Sequence, residues 1–458
     1  MTIPRVLDWI EAHRDDGVKL LLELLRFPTV SAQSVHADDM RDCAEWLIRR
    51  FQEAGATAEI LPADGHPAVF AEAGPPSAPV TLLVYGHYDV QPADDIACWH
   101  SPPFEPIVRN GAIYGRGAAD DKGQLLTHVL ALRAWTQVAG GPPIRVKYLV
   151  EGEEEIGSVH LSGSLRRHKD RLNCDFVALS DTAKLDTDTP ALTWSTRGLV
   201  YKQLDISGPR KDLHSGIFGG TVANPLNELA GLLASLRDSG NRIAIPGFYD
   251  DVRQLTPAER HALSQYPFDE AAFLKDVGSP SLAGEAGYTT LERRGARPSL
   301  DINGICGGYT GEGAATIIPS SAFAKVSMRL VADQDPATIS RLFDEAVRAR
   351  CPASVRLNIR TLSECAPYVC PLDSAGAKAA LAALEKGYGR LPAIIREGGS
   401  LPILPLFRSV LGADSLMLGF CMPDCNAHSA NEFFHLRDLE MGTRSSAILL
   451  DELARAVR

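Results

Sequence analysis

The stretch Val80-Thr-Leu-Leu-Val-Tyr-Gly-His-Tyr-Asp89 begins as a short apolar run and turns polar at Gly86. Such a run is typical of a strand buried on both faces. The stretches Ile144–Glu155 and Phe176–Asp181 repeat the design, each with an apolar run that ends in acidic residues. A helical pattern at Gly123–Val138 separates the first two runs. Strands that alternate with helices predict an α/β fold with a mostly parallel sheet flanked by helices.

A second pattern follows residue 197. The segments Leu199–Ile206, Phe323–Val331 and Val355–Thr361 alternate apolar and polar residues, as half-exposed strands do. Ala223–Leu236 and Pro336–Arg350 have helical periodicity. The order of these elements predicts a small α+β layer, distinct from the first sheet.

The α/β pattern returns near residue 368, with a helical pattern from Ser374 and a long final helix from Leu436. We therefore predict a discontinuous main domain made of residues 1–197 and 368–458, with a second domain inserted at 198–367. Residues 240–300 are rich in proline, glycine and charge, and we expect them to be mostly irregular.

Composition excludes several classes of protein. The chain has 46 Lys+Arg against 57 Asp+Glu, a net charge of −11, with 45% hydrophobic residues, so wholesale disorder is excluded. The acidic balance argues against a nucleic-acid or membrane-surface partner. Early acidic residues argue against a signal peptide. Nine cysteines without Cys-x-x-Cys spacing predict reduced thiols rather than a disulfide framework or a zinc ribbon, hence a cytoplasmic protein.

Histidine and carboxylate residues cluster where the predicted strands end, the edge at which α/β sheets bind ligands. Their side chains suit Zn²⁺ and similar divalent ions, and two such ions need a shared carboxylate between them. His87 and His428 can each serve one ion, while Asp120 can bridge. Asp89 can accept the other ring N–H of His87. The acidic run after Ile144–Val150 supplies both a ligand and a general base.

That acidic run leaves two registers open. Glu154 as base with Glu155 as ligand is one, and Glu153 as base with Glu154 as ligand is the other. The residues alone do not decide between these two registers.

The motifs resemble those of one family over nearly the whole chain. The family is that of the di-metal peptidases, which include cytosolic non-specific dipeptidase, carnosinase, glutamate carboxypeptidase, aminoacylase and succinyl-diaminopimelate desuccinylase. The resemblance is carried by Gly-His-Tyr-Asp-Val-Gln-Pro (86–92), Gly-Arg-Gly-Ala-Ala-Asp-Asp-Lys-Gly (115–123), Glu-Gly-Glu-Glu-Glu-Ile-Gly-Ser (151–158), Asp-Leu-His-Ser-Gly (212–216), Ile-Ile-Pro (317–319), Arg-Glu-Gly-Gly-Ser (396–400) and Asn-Ala-His-Ser-Ala-Asn-Glu (426–432). Dipeptidase-like members match best.

The resemblance implies a role for each matching residue. One ion would be ligated by His87 and Asp181 and the other by Glu155 and His428, with Asp120 bridging. In the family's register the pair Glu154-Glu155 stands directly before Ile156-Gly-Ser158, so Glu154 would be the general base. Asp89 would orient His87. The residues His214, Thr316, Arg329 and Ser400 would hold the substrate, with His214 reaching into the site of a partner subunit. The peptide bond between Asp120 and Asp121 would be cis.

The resemblance also implies a function. We expect a hydrolase of dipeptides or similar small peptides with a free carboxylate, in which a metal-activated water attacks the amide. The inserted domain would be a lid and dimerisation domain of a homodimer. Zn²⁺ is the first choice of metal, with Mn²⁺ or Co²⁺ as alternatives. The rival hypotheses are an N-acyl-amino-acid deacylase of the same fold and a catalytically silent binding or scaffold protein.

Overall fold

The structure is a computed structural model that describes residues 2–62, 64–93, 95–264, 266 and 268–456. It forms two compact units. The first unit contains residues 1–194, 370–395 and 406–458, and the second contains residues 195–369 and 396–405. The sequence assigned the whole of 368–458 to the main domain, whereas residues 396–405 belong to the second compact unit. The domain boundaries at 197/198 and 367/368 stay a prediction.

From residue 2 to residue 196 the chain alternates helices and strands. They are α1 (Thr2–Ala12), α2 (Arg14–Leu24), α3 (Ala37–Glu53), β1 (Thr57–Leu61), β2 (Ala68–Ala73), β3 (Thr81–His87), β4 (Ile107–Arg109), β5 (Ala112–Tyr114), α4 (Lys122–Ala139), β6 (Arg145–Glu151), α5 (Leu161–Arg167), α6 (Lys169–Leu172), β7 (Phe176–Leu179) and β8 (Ala191–Thr196).

The middle and last parts of the chain continue this series. Residues 198–369 form β9 (Gly198–Ser207), β10 (Leu213–His214), α7 (Ser215–Phe218), α8 (Pro225–Ala234), α9 (Pro257–Ser264), α10 (Glu270–Asp276), α11 (Thr290–Gly295), β11 (Ser299–Gly307), β12 (Ile317–Ile318), β13 (Ser321–Leu330), α12 (Pro336–Arg350), β14 (Arg356–Cys365) and β15 (Tyr368–Val369). Residues 370–456 form α13 (Ala375–Tyr388), β16 (Ala393–Glu397), α14 (Ile403–Leu411), β17 (Asp414–Gly419), β18 (Phe433–His435) and α15 (Leu436–Ala456).

A large mixed sheet has the strand order β1-β2-β6-β3-β7-β17-β8-β15, with β16 also paired to β8, and most of its strands lie in the first unit. The four central strands, β6, β3, β7 and β17, are parallel, and the strands on either side of them, β2 and β8, pair with them in the antiparallel direction. The central strands are almost wholly buried, as the apolar runs predicted. Their carboxyl ends therefore lie along one edge, which positions the histidines and carboxylates described below.

The second unit is built on a four-stranded antiparallel sheet in the order β11-β13-β9-β14. Helices α8 and α12 pack against this sheet, and the core between them includes Leu204, Leu232, Val326 and Phe343. The helices begin where the sequence supplies caps. The Asp335 carboxylate accepts the N–H of Thr338 at 2.8 Å at the start of α12. The predicted α+β layer is thus confirmed.

Some elements differ from the sequence-based expectation. The apolar residues of 4–26 repeat with helical periodicity, which predicts one helix, but α1 ends at Ala12 and α2 begins at Arg14. Between them, the ring Nδ1 of His13 lies 2.8 Å from the Trp9 carbonyl oxygen. Strand β1 was not predicted because three of its five residues are exposed, so no apolar pattern marks it. Residues 240–300 contain short helices besides irregular structure.

The reduced thiols expected from the cysteine spacing can be compared with the structure. All nine cysteines are free thiols. Within the described ranges, no helix combines the length and the apolar character that crossing a membrane requires.

Candidate metal centre

Loops at the carboxyl edge of the central sheet bring five possible ligands together in the first unit. His87 is the last residue of β3, and Asp181 follows β7 by two residues. Glu155 lies in a short 3₁₀ helix after β6. Asp120 lies just before α4, and His428 lies between β17 and β18. The parallel arrangement of the strands thus places residues distant in sequence at one site.

One group consists of His87, Asp120 and Asp181. The Nε2 atom of His87 lies 3.1 Å from Asp120 Oδ1 and 3.9 Å from Asp181 Oδ2. The three possible ligand atoms all lie within 4.8 Å of one another. Their separations and their nitrogen and oxygen donors suit one divalent ion.

The second group shares Asp120 with the first. The other oxygen of Asp120, Oδ2, lies 2.9 Å from His428 Nε2, which in turn lies 3.3 Å from Glu155 Oε2. These three ligand atoms also lie within 4.8 Å of one another. One carboxylate therefore presents a different oxygen to each group, which is the arrangement that a two-metal site requires.

The burial and the charges of the possible ligands also fit two cations. His87 Nε2 is fully buried, and although Asp120 Oδ1 is 3.1 Å away, no atom in the part of the chain that the structure describes has the geometry of a hydrogen-bond partner for it. Burial, and then the neighbouring Asp120 carboxylate, raise the pKa of Asp181 well above its ordinary value. Burial also raises the pKa of Asp120, but contacts with His428 and His87 outweigh it and lower that pKa. A buried imidazole nitrogen among crowded carboxylates is a site for positive charge, so the residues fit divalent ions.

The three glutamates of the acidic run lie in different surroundings. Glu153 is buried away from the two groups, where its carboxylate accepts the main-chain N–H of His66 at 3.1 Å and lies 2.9 Å from the His160 ring. Glu155 is the residue beside His428. Burial, followed by the charges of Glu155 and Asp120, raises the pKa of Glu154 to about 7, although His87 opposes that shift. The roles of Glu154 as base and Glu155 as ligand stay predictions.

Asp89 lies beneath His87 and is fully buried. Its Oδ1 lies 3.3 Å from His87 Nδ1, and its main-chain oxygen lies 3.1 Å from the same nitrogen. Its carboxylate also accepts the main-chain N–H groups of Glu154 and Glu155, at 3.2 and 3.0 Å. Asp89 therefore links the orientation of His87 to the position of the acidic run, since either oxygen leaves Nε2 free to face the ligand groups.

Several supporting residues were given no role by the sequence. Gln91 donates to Glu155 Oε2 at 2.8 Å. Gln124 donates to the Ala119 carbonyl oxygen at 3.0 Å, and Glu432 accepts the main-chain N–H of Asp120 at 3.0 Å. Gln91 and Glu432 stand inside the motifs quoted above, which was the available signal. The peptide bond between Asp120 and Asp121 is cis, as expected.

The four predicted substrate residues all lie in the second unit. His214 is exposed, and its strand pairs with β12. Thr316 is exposed, and its carbonyl oxygen accepts the N–H of Ser215 at 2.9 Å. Arg329 and Ser400 are brought together, because Arg329 Nη1 donates to Ser400 Oγ at 2.7 Å. Their roles toward a substrate stay predictions.

The sequence pattern of Peptidase family M20/M25/M40 matches residues 83–452, most of the chain and all of the ligand groups. The chain belongs to this family. It is 34% identical to the Cys-Gly metallodipeptidase DUG1 of Saccharomyces cerevisiae, with 98% of each chain covered. It is 29% identical to the human Beta-Ala-His dipeptidase, with 99% of this chain and 93% of that protein covered.

The fold agrees with that of a solved member of the family. The M20 family metallo-carboxypeptidase Sso-CP2 of Sulfolobus solfataricus superimposes with a TM-score of 0.85 at 32% identity, with 96% of this chain and 99% of that chain covered. The resemblance to the dipeptidase-like di-metal peptidases is therefore confirmed. This M20 chain is a metal-dependent hydrolase of the family, with a mixed α/β fold.

Proposed function

We propose that this M20 enzyme hydrolyses dipeptides, or similar small peptides with a free carboxylate. The observation that carries the proposal is Asp120, whose two oxygens face two separate ligand groups. His87 and Asp181 would complete one metal site, and Glu155 and His428 the other. The relatives named as dipeptidases support a small peptide substrate.

The residues divide the chemistry between them. Two divalent ions held by these residues would supply Lewis acidity toward the scissile carbonyl group and would lower the pKa of the attacking water. Glu154 would accept the proton of that water and pass it to the leaving amine. Its carboxylate is close to the ligand groups, and Asp89 accepts the main-chain N–H groups of both Glu154 and Glu155. Asp89 would hold His87 in the orientation that directs Nε2 at the site.

Four further residues would bind the rest of the substrate. The guanidinium of Arg329, already hydrogen-bonded to Ser400, offers further N–H donors to a carboxylate. Thr316 would make a polar contact with the substrate. His214 would act on the scissile carbonyl oxygen from the partner subunit of a homodimer. We also propose Zn²⁺ as the metal, with Mn²⁺ or Co²⁺ as alternatives, and a cytoplasmic location.

The substrate class is tested with metal-stripped protein reconstituted with Zn²⁺, Mn²⁺ or Co²⁺ in separate samples. Each sample is assayed on unmodified dipeptides, including Cys-Gly and β-Ala-His, and on N-acetyl amino acids. We expect faster hydrolysis of the unmodified dipeptides. Preference for the acetylated substrates would identify a deacylase instead, and no turnover with any metal would favour the silent binding protein.

The choice of base is tested by Glu154→Gln, with Glu153→Gln as the matched control. We expect Glu154→Gln to lower kcat by about 10²- to 10⁴-fold, because proton transfer is lost, while the bound metal is retained. Glu153→Gln should keep near-native turnover, since Glu153 contacts His66 and His160 instead. The opposite ranking of the two variants would support the other register.

The role of His214 is tested by mixing two inactive variants, His214→Ala and Glu154→Gln. If His214 acts across a dimer interface, a mixed dimer contains one site with both residues intact. Activity that neither variant has alone would then return after the subunits are exchanged. If mass spectrometry verified that the mixed dimer had formed and it were still inactive, this role of His214 would be contradicted.

A further inference from the structure

The carboxylate of Glu432 is fully buried and accepts four hydrogen bonds from one short loop. Oε2 accepts from Arg116 Nη1 and from the Gly117 N–H, both at 2.8 Å. Oε1 accepts from the N–H groups of Ala119 and Asp120, at 2.8 and 3.0 Å. Both oxygens are thus used, and the last of the four donors belongs to the carboxylate residue shared by the two ligand groups.

The main chain of Glu432 and Phe433 contacts the start of the same loop, at Tyr114 and Gly115. The carbonyl oxygen of Glu432 accepts the N–H of Gly115 at 3.0 Å. The next residue, Phe433, pairs with Tyr114 where β18 joins β5. The loop that ends in Asp120 is therefore held by the backbone of Glu432 at its start and by the carboxylate of Glu432 along its length.

Glu432 also lies in the loop that carries His428. This loop is closed by the N–H of Phe433, which donates to the Cys425 carbonyl oxygen at 3.0 Å, and by Asn426 Nδ2, which donates to the Asn431 carbonyl oxygen at 3.3 Å. His428 adopts a left-handed backbone conformation within it, with φ of 60°. Because the loop is short and closed on itself, its side chains keep a fixed relation to Glu432.

We infer that Glu432 is a positioning residue that couples the two halves of the metal centre. It sets the backbone of the bridging residue, Asp120, in relation to the loop of His428, so both oxygens of Asp120 meet their groups. It touches neither ligand atoms nor substrate. This inference rests on the proposed two-metal function.

If Glu432 only stabilised the fold, replacing it would lower stability without changing metal binding. Another buried glutamate of the chain provides a matched control. Glu285 is also buried and pairs with an arginine, since its two oxygens accept from Arg297 Nε and Nη2, each at 2.8 Å. Glu285 belongs to the second unit and contacts none of the possible ligands. Glu285→Gln thus removes a comparable buried charge without touching the loop of Asp120.

The experiment compares native protein, Glu432→Gln and Glu285→Gln as full-length, metal-stripped chains. In Glu432→Gln one oxygen becomes an NH₂ group that faces N–H donors, so the loop must move. We expect its Zn²⁺ affinity, measured by competition with a chromophoric chelator, to fall about 10- to 100-fold. The visible absorption of the Co²⁺-loaded protein should also change. Glu285→Gln should keep the native affinity and spectrum while losing thermal stability.

A second variant keeps the test decisive if Glu432→Gln folds poorly. Arg116→Met removes the charged partner of Glu432 but leaves the three main-chain donors in place. We expect it to lower stability and to keep the native Co²⁺ spectrum. A native Zn²⁺ affinity and Co²⁺ spectrum in Glu432→Gln would overturn the inference. Failure of the native protein to bind two ions would instead overturn the proposed function.

Discussion

His128 gives the protein a defined dependence of stability on pH. It lies on α4 with 3% of its surface exposed, and its Nε2 atom is 2.8 Å from Ser180 Oγ. Its ring packs beside Phe420, with the ring centres 6.1 Å apart. Burial lowers the pKa of His128 to about 3. The folded protein therefore keeps this imidazole neutral at pH values where an exposed histidine is charged.

The sign and size of the effect follow from proton linkage. An unfolded histidine has a pKa near 6.5, so between that value and the folded pKa of about 3 only the unfolded chain binds this proton. Stability is thus full above the unfolded pKa and falls as the pH decreases toward the folded pKa. One proton changes the free energy of unfolding by about 1.4 kcal/mol per pH unit, so lowering the pH from 7 to 5 costs about 2 kcal/mol through His128.

The assay is urea unfolding at pH 7 and pH 5, followed by tryptophan fluorescence in the presence of a metal chelator. All five tryptophans lie in the first unit, as His128 does, so the signal reports on the correct unit. His128→Gln removes the titrating group and keeps a polar partner for Ser180. We expect its free energy of unfolding to lose about 2 kcal/mol less than that of the native protein between the two pH values.

Taking the difference between proteins cancels the titrations that native and variant share. His128→Phe serves as a second variant, because it removes both the titration and the hydrogen bond. It should be less stable than His128→Gln at both pH values, with the same reduced pH dependence. If native protein and both variants lost equal stability on acidification, the reasoning from burial would be refuted.

Three further predictions concern packing, charge and substrate binding. Lys184→Met should lower the free energy of unfolding by about 3–5 kcal/mol, because the buried Asp438 carboxylate, 2.6 Å from the Lys184 ammonium in the native protein, is left without its partner. Urea unfolding should show that adding Asp438→Leu recovers much of this loss. Phe343→Ala, at a fully buried position of the second unit, should cost about 3–5 kcal/mol, measured by amide hydrogen exchange in α12. Arg329→Ala should raise KM for a dipeptide roughly 10- to 100-fold and should raise KM for the corresponding dipeptide amide less. Equal effects on the two substrates would contradict binding of the carboxylate by Arg329. Ser400→Ala should raise KM for the dipeptide more than for the amide as well, but by a smaller factor.

The central sheet could be predicted because its strands carry their own signal. The runs at Val80–Tyr85 and Phe176–Leu179 are apolar except for Thr81, because a strand that is buried on both faces has no solvent-exposed face that would require polar residues. Strand β11 could not be found in this way. It is the edge of its sheet and exposes most of its residues, so Ser299–Gly307 has neither an apolar run nor a regular alternation.

The candidate ligands could be predicted for a chemical reason. A histidine or an aspartate directly after an apolar strand is unusual in a core, so His87 and Asp181 could each be predicted as a functional residue. The family motifs then indicated that the two residues belong to one site. Which oxygen of Asp120 faces which histidine could not be predicted, because this depends on the packing of loops that are distant in sequence. The side chain of His428 reaches Asp120 across more than 300 positions in the chain.

The supporting residues were harder to predict because their role depends on which groups they contact in the folded chain, and residue type alone does not indicate those contacts. A lone glutamate such as Glu432 is usually a surface residue, and the sequence contains nothing that places its oxygens against four donors in the loop of Asp120. Gln124 holds the same loop from the other side through the Ala119 carbonyl oxygen. Its own oxygen accepts the N–H groups of Phe420 and Cys421 after β17.

These contacts explain how the site can keep several carboxylates close together. Mutual repulsion would spread Asp120, Glu155 and Asp181 apart if their loops were free to move. Glu432 and Gln124 hold the main chain of one loop, Asp89 holds the main chain of another, and the parallel strands fix where both loops begin. The fold therefore bears the cost of assembling like charges before a cation neutralises them. It follows that substitutions in these supporting residues should weaken metal binding even though every ligand remains in place.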